Sequence, residues 1–288
     1  NISRLILILM YWLILGLKYT YKDMLIKEIL YLFLPNFLQN CLITIYDFLA
    51  YRKRHSGVYN YYKKYYSQSE TLSVKELKEE QERRFLIFIK KIYATSKFYK
   101  NKIDSSGVNI NNFDIKSLSK IPITTKEDLR TNINQICSNK KNTIVSRTGG
   151  TTGKALTVYF SHENSQERFA CLDNFKNRFG WNFGNKTAWF SGKKILNTRD
   201  LKKNRFWKTD FLYNIRYYST FYINEQTLQY YIQNLNLYQP LFFSGFPSSI
   251  SEIAKYGIKH NLKLNYKPIA IFPTAETITD FDKTMMEQ

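Results

Sequence analysis

Between residues 143 and 273, short runs rich in β-branched and aromatic residues alternate with stretches of helical spacing, and this alternation constrains the fold more than any other feature. Thr143–Ser146 predicts one strand, and Leu156, Val158 and Phe160, alternating with Thr157 and Tyr159, predict a second. A helix is expected from about Glu163 to Phe179, stopped by Gly180. Strand-like runs recur at Thr187–Ser191, Tyr217–Ile223, Pro240–Ser244 and Pro268–Pro273. Helix-like runs lie between them, at Glu225–Leu237 and Ser248–His260. Strands alternating with helices of this length indicate an α/β core. At 288 residues the chain can bury a substantial core, and neither an internal repeat nor a Gly/Ser-rich linker marks a boundary.

The N-terminal part reads differently. Leu5–Leu17 is an uninterrupted apolar run, too short to span a bilayer comfortably and lacking the small-residue cleavage site of a signal peptide. A second apolar stretch, Ile29–Leu49, is broken by Pro35, Asn36, Gln39, Asn40 and Asp47, which suggests two buried or membrane-surface helices. Basic and aromatic residues crowd the following segment, Tyr51–Tyr66, so peripheral membrane contact is a live expectation. Ser73-Val74-Lys75-Glu76 is a capping box opening a helix expected to run to about Tyr99, and Thr124-Thr125-Lys126-Glu127 is a second one. Residues 1–70 are therefore read as an apolar and basic helical segment, and 71–288 as the main α/β domain. The first residue is Asn and the last four, Met-Met-Glu-Gln, stop in a helix-like stretch, so both ends are expected to be cut.

Composition narrows the partners. The formal charge is +20, which favours anionic ones, although Lys, Asn, Ile and Tyr are enriched throughout and no concentrated basic block stands out. No nucleic-acid-binding signature is present, and nucleic acid is not expected as a partner. Cys41, Cys137 and Cys171 are scattered, as are His55, His162 and His260. None has metal-ligand or disulfide-framework spacing, so no metal site is expected and a reducing, cytoplasmic setting fits.

The chemistry concentrates in the loop 146–156. Thr148, Gly149, Gly150, Thr151, Thr152 and Gly153 are followed by Lys154. Glycines let successive backbone N–H groups converge on anionic oxygens, threonine hydroxyls add donors, and the lysine adds charge. Walker A fails, because Thr148 stands at the first Gly position and Ala155 where Ser or Thr belongs. The Rossmann spacing fails too, and a strand, not a helix, follows the loop. A Gly/Thr-rich hairpin connection without a ligand explains the loop alone nearly as well.

Together with three further segments, the loop resembles the adenylate-forming, AMP-binding superfamily, and within it the phenylacetate–coenzyme A ligase branch of capsular-polysaccharide type. Leu34–Asn40 is similar to that branch's helical entry, and Lys120–Leu129 to its Leu-Pro-x-Thr-Lys-x-Asp-Leu segment. Ser244-Gly245-Phe246-Pro247-Ser248-Ser249 resembles its Gly-[Tyr/Phe]-Pro-Ser segment, and Ala275-Glu276-Thr277 its acidic turn beside adenine and acyl group. Ala155 departs from the usual proline, and Leu156 stands where many members carry a second lysine. The aromatic-Gly-x-[Thr/Ser]-Glu motif, the ribose-binding aspartate and the C-terminal small domain with its catalytic lysine have no counterpart in this sequence.

The resemblance implies part of a large adenylation domain and ATP-dependent activation of a carboxylic acid with Mg²⁺. Acyl transfer to coenzyme A or to another thiol, amine or sugar would follow. It places Thr148, Gly149, Gly150, Thr151, Thr152, Gly153 and Lys154 on the phosphates. Ser244, Gly245, Phe246, Pro247, Ala275, Glu276 and Thr277 would form the nucleotide and acyl pocket. A strand-to-helix turn with Pro247 at N1 and a helix-dipole role for Glu276 are equally open readings. With the later motifs missing, the catalytic residues are not assigned, and little adenylation is expected of this stretch alone. The competing class is a non-catalytic basic protein that binds a membrane or polymer.

Overall fold

The computed structural model describes residues 30–137, 140–141, 143–148 and 155–288. The apolar run Leu5–Leu17 and the loop residues Gly149–Lys154 lie outside the described residues. The chain divides into two compact units, one made of residues 1–52 and 175–288, the other of residues 53–174. Residue 70, the expected end of the N-terminal segment, falls within the second unit.

In order, the helices are α1 (Asn36–Arg54), α2 (Tyr59–Ser69), α3 (Val74–Thr95), α4 (Lys97–Ser105), α5 (Lys126–Thr131), α6 (Ile133–Ile136), α7 (His162–Asn177), α8 (Thr198–Lys202), α9 (Leu228–Tyr238), α10 (Pro247–Lys259) and α11 (Asp280–Glu287). The strands are β1 (Thr143–Arg147), β2 (Thr157–Ser161), β3 (Thr187–Ser191), β4 (Trp207–Asp210), β5 (Ile215–Ser219), β6 (Phe242–Gly245) and β7 (Ala270–Pro273).

The first unit is built on a five-stranded sheet of order β4-β5-β3-β6-β7, parallel except for the antiparallel β4–β5 pair. This is the expected α/β class. Strand β3 is central and buried at four of its five positions, as a parallel strand covered on both faces must be. Its core gathers Ala188, Phe190, Phe206, Tyr218, Tyr231, Leu235, Phe243 and Ile250. Aromatic rings make up about half of that core. Phe190 stacks on Tyr218 at 5.2 Å and Phe206 on Tyr231 at 5.3 Å, while the Tyr231 phenol donates to Ser219 O at 2.6 Å.

Helix α1 reverses the usual amphipathic rule. Three of the polar residues expected to interrupt an apolar stretch, Gln39, Asn40 and Asp47, are buried beside Leu42, and Phe37 is 65% exposed. The reason is the sheet edge. Asn40 Oδ1 accepts the Thr209 N–H at 3.2 Å and Thr44 Oγ1 accepts the Phe211 N–H at 3.0 Å, satisfying donors on the outer side of edge strand β4. Lys208, fully buried, donates to Asp200 at 2.7 Å, to Asn36 at 2.9 Å and to Gln39. Asp47 accepts the Tyr217 phenol at 2.7 Å. Among the described residues no helix is long and apolar enough to cross a membrane.

The second unit combines helices α2–α6, the β1–β2 hairpin and most of α7. Its core holds Ile89, Ile103 and Phe113. The basic and aromatic segment expected at a membrane is largely engaged internally. Tyr59 and His55 both bond Asp173 at 2.9 Å, Tyr65 donates to Glu80 at 2.7 Å, and Arg54 lies 4.6 Å from the Phe169 ring centre.

Several expected boundaries move. The capping box at Ser73 and Glu76 forms, but its helix stops at Thr95, because the Ser96 side chain turns to accept the Tyr99 N–H and starts α4. The second box is displaced by one residue. Thr125 pairs with Asp128, while Thr124 Oγ1 accepts a hydrogen bond from Lys102 at 2.9 Å. Strand β5 ends at Ser219, earlier than expected, because residues 220–222 form a 3₁₀ turn. Strand β4 and helix α8 were not expected.

Candidate functional site

The carboxyl ends of the parallel strands carry the residues that sequence placed in a nucleotide and acyl pocket. After β3 the chain builds β5 on one side and then crosses to place β6 and β7 on the other. In an open α/β sheet the crevice at such a reversal, outside the strand ends, is where ligands bind. Here the reversal lies between β3 and β6, and Gly192 and Gly245 lie at its two sides.

Gly245 is required by backbone geometry. Its φ is +139°, and a Cβ there would stand 2.2 Å from Phe190 O. Phe246 is the N-cap of α10, and Pro247 occupies the first turn, where its missing N–H costs nothing. The open strand-to-helix reading of this segment is therefore what the backbone does. Ser244 and Pro247 are buried, so Phe246 is the residue of the four that keeps accessible side-chain surface.

The acidic turn is tied to the same edge. Thr274 N–H donates to Gly245 O at 2.8 Å, joining the turn after β7 to the end of β6. Ala275 then adopts φ +68°, a left-handed conformation that costs a non-glycine residue roughly 1 kcal/mol. That reversal brings Glu276 onto the first turn of α10. Its Oε2 accepts the Ser248 N–H at 3.2 Å and the Ser248 hydroxyl at 2.7 Å. The carboxylate thus serves the N-terminus of α10, where the helix dipole favours negative charge. Two segments 28 residues apart in sequence, at Ser248 and Glu276, meet at one sheet edge, while Thr277 is exposed beyond them.

The loop expected to bind phosphate belongs to the other unit, and Thr148 and Leu156 at its base are among the described residues. Strands β1 and β2 pair antiparallel with Arg147 opposite Thr157. The pairing continues one step beyond the strands. Thr148 N–H donates to Leu156 O at 3.0 Å, and Leu156 N–H donates to Thr148 Oγ1 at 3.0 Å. The loop therefore leaves and re-enters through a closed neck between two strands. Thr148 accepts at that neck while its hydroxyl proton stays available for donation.

Sequence reasoning missed part of the first unit's strand-end region. Gly192, after β3, has no bulky residue of its own, and a Cβ there would lie 3.8 Å from both Phe221 and Phe246 and 3.9 Å from Thr220. A lone Gly after a buried strand was the available signal.

No family model matches the chain. It is 32% identical over 256 residues to the protein CapK of Staphylococcus aureus, an alignment covering 88% of this chain and 56% of CapK. It is 31% identical over 112 residues to the phenylacetate–coenzyme A ligase of Escherichia coli strain K12, covering 38% of this chain and 24% of that enzyme. Both likenesses support a place in the phenylacetate–coenzyme A ligase-like branch of the adenylate-forming proteins. It spans little more than half the length of CapK. A solved 2-hydroxyisobutyryl-CoA ligase, in complex with 2-HIB-AMP and CoA, is 17% identical with a TM-score of 0.45, over 67% of this chain and 42% of its own. A likeness that loose assigns no residue.

Proposed function

We propose that this chain carries the ATP-gripping part of a carboxylate-activating ligase. A carboxylate oxygen attacks the α-phosphorus of ATP, the bond to the β-phosphate oxygen breaks, and acyl-adenylate and pyrophosphate result. A thiol such as that of coenzyme A, or an amine or sugar hydroxyl, then takes the acyl group and releases AMP. On the resemblance of its segments to the capsular-polysaccharide type, the acyl group goes into assembly of a surface polysaccharide, in the cytoplasm where ATP and coenzyme A are supplied.

The observation that carries this reading is the loop Ser146–Leu156, with its neck closed by Thr148 and Leu156. Backbone N–H groups of Gly149, Gly150 and Gly153 and the hydroxyls of Thr148, Thr151 and Thr152 hold the β- and γ-phosphates, and Lys154 offsets their charge. Bound Mg²⁺ would neutralise phosphate charge as the α–β bond breaks. Phe246 and the Ala275–Thr277 turn lie on the acyl and nucleotide side. The protein's contribution is positioning and electrostatic stabilisation. In the complete protein, Thr151→Val with Lys154→Ala should lower ATP–pyrophosphate exchange at least tenfold, about 1.4 kcal/mol. Unchanged exchange in the folded double variant would remove the assignment.

A second reading concerns location. Phe33 is 67% exposed, and Phe37, Phe48, Phe211 and Leu212 are exposed too, with the Phe37 and Phe211 rings 6.0 Å apart. Arg52 shares the Phe37 and Phe48 stripe of α1 by helical spacing, and Arg199 bonds Phe33 O at 3.4 Å. Apolar surface rimmed by cations suits the interface of an anionic bilayer.

A further inference from the structure

A cavity of about 710 Å³ opens in the first unit beside the carboxyl ends of β3 and β5. Leu32 and Tyr46 supply its N-terminal wall, and Leu196, Phe221 and Tyr222 supply much of the facing one. Leu32, Tyr46 and Phe221 are exposed, so this apolar wall is open to the surroundings and not sealed in the core. Lys194 is the charged residue on the lining, and among the described residues no carboxylate joins it there.

The other polar groups of the lining are few. The Tyr31 phenol is spent on Ile195 O at 2.8 Å, and the Ser219 hydroxyl is buried and closed to a guest. Among the described residues the Tyr46 and Tyr222 phenols have no hydrogen-bond partner, which leaves both as donors.

The cavity wall runs directly into the exposed apolar strip around Phe37. Leu32 lines the cavity while Phe33 belongs to the strip, and α1 carries Tyr46 on the first and Phe37 and Phe48 on the second. The segment after β3 holds residues 31–33 by their carbonyls as well, since Asn197 Nδ2 donates to Leu32 O at 2.9 Å and Arg199 Nη1 to Phe33 O at 3.4 Å. Arg199 is exposed, and its guanidinium has further N–H donors to spare. Two cations, Lys194 and Arg199, therefore meet neighbouring residues where cavity and strip join.

This combination selects an amphiphile. A soluble polyanion would use the cations and leave the apolar wall in water, whereas a neutral apolar guest would fill the wall and leave the cations idle. Largely apolar cavities of this size with a few polar groups are typical small-molecule sites, and cations at a membrane surface recognise phosphate headgroups. We infer that the cavity takes one acyl chain of a phosphate-bearing lipid from the bilayer, with Lys194 and Arg199 on its phosphate. Tyr46 and Tyr222 are the donors for its ester oxygens. The inference rests on the bilayer reading for the source of the ligand, though not for its binding.

The test is calorimetric titration of the full chain, below micelle-forming concentrations, with octyl phosphate, octyl glucoside and inorganic phosphate. Octyl phosphate should bind at least roughly tenfold tighter than either of the others. Equal affinity for octyl glucoside would take the cations out of the site, and equal affinity for inorganic phosphate would take the cavity out of it; either overturns the inference. Leu32→Trp, which narrows the cavity from an exposed position, should weaken octyl phosphate at least roughly tenfold. Lys194→Gln with Arg199→Gln should do the same while leaving octyl glucoside within about twofold. Octyl phosphate affinity untouched in either folded variant overturns the inference too, and if Leu32→Trp does not fold, the double variant decides alone. Vesicle flotation without octyl phosphate binding keeps the bilayer contact and strikes the cavity site, and binding without flotation keeps the site and strikes the contact.

Discussion

Asp210 shows how one side chain can set the pH behaviour of the first unit. Its Oδ1 accepts the Leu212 and Tyr213 N–H groups at 2.9 and 3.3 Å, while Oδ2 is buried without a hydrogen bond. Burial, with Asp47 also near, pushes its carboxyl from 3.8 up to about 6. The folded state thus binds this proton more tightly than the unfolded state. Stability from the neutral carboxyl is present in full below about pH 4 and is lost as pH rises through 6, at most about 3 kcal/mol. Asp210→Asn should therefore raise the melting temperature at pH 7.5 and leave it unchanged near pH 4, read by thermal denaturation at both values. An equal shift at the two pH values would exclude titration as the cause. The sequence gives no sign of this group, because Trp-Lys-Thr-Asp buries Lys208 and Asp210 while Trp207 and Thr209 are less covered. Hydrophobicity reads that alternation backwards, and strand β4 was missed for the same reason. Gly180 was legible as a helix stop, and it does take φ +79°.

At the level of elements, the legible features are those whose signal is local. Ser73 and Glu76, Pro247 at the start of α10, and β3 over its full span follow from short patterns that need no partner. Boundaries moved where a tertiary contact chose between neighbours, as Lys102 takes Thr124 and leaves the cap to Thr125. Helix α1 is the larger case, since nothing in Asn36, Gln39, Asn40 and Asp47 announces an edge strand needing donors satisfied. The β6–α10 junction makes a sharp prediction. Gly245→Ala would force a Cβ to within 2.2 Å of Phe190 O at a positive φ, so it should destabilise the first unit by about 3 kcal/mol or more. Ala275→Gly, relieving a left-handed alanine, should be neutral or stabilising by up to about 1 kcal/mol. Denaturant midpoints measure both, and a Gly245→Ala midpoint equal to the parent would refute the close approach.

For the molecule as a whole, composition was the weakest guide and topology the strongest. The aromatic residues divide between the core, as with Phe190 and Tyr218, and the surface, as with Phe37 and Phe211, while the alternation after residue 143 yields the α/β sheet directly. The charge of +20 and the exposed strip around Phe37 act together in the proposed bilayer contact. The full chain should float with vesicles containing phosphatidylserine at low salt, less so at 0.5 M salt (Debye length about 4 Å), and Phe37→Ser with Phe48→Ser should abolish the residue that survives salt. Absence from the vesicle fraction at low salt would discard the contact. The buried side of α1 has a practical corollary. A version of the chain trimmed to begin at residue 71 would keep every residue of the sheet, yet leave Lys208 and the edge of β4 without the side chains that cover them. Such a piece would tend to recruit a substitute, most readily the same edge of another copy, and so would be sticky for reasons unrelated to ligand binding.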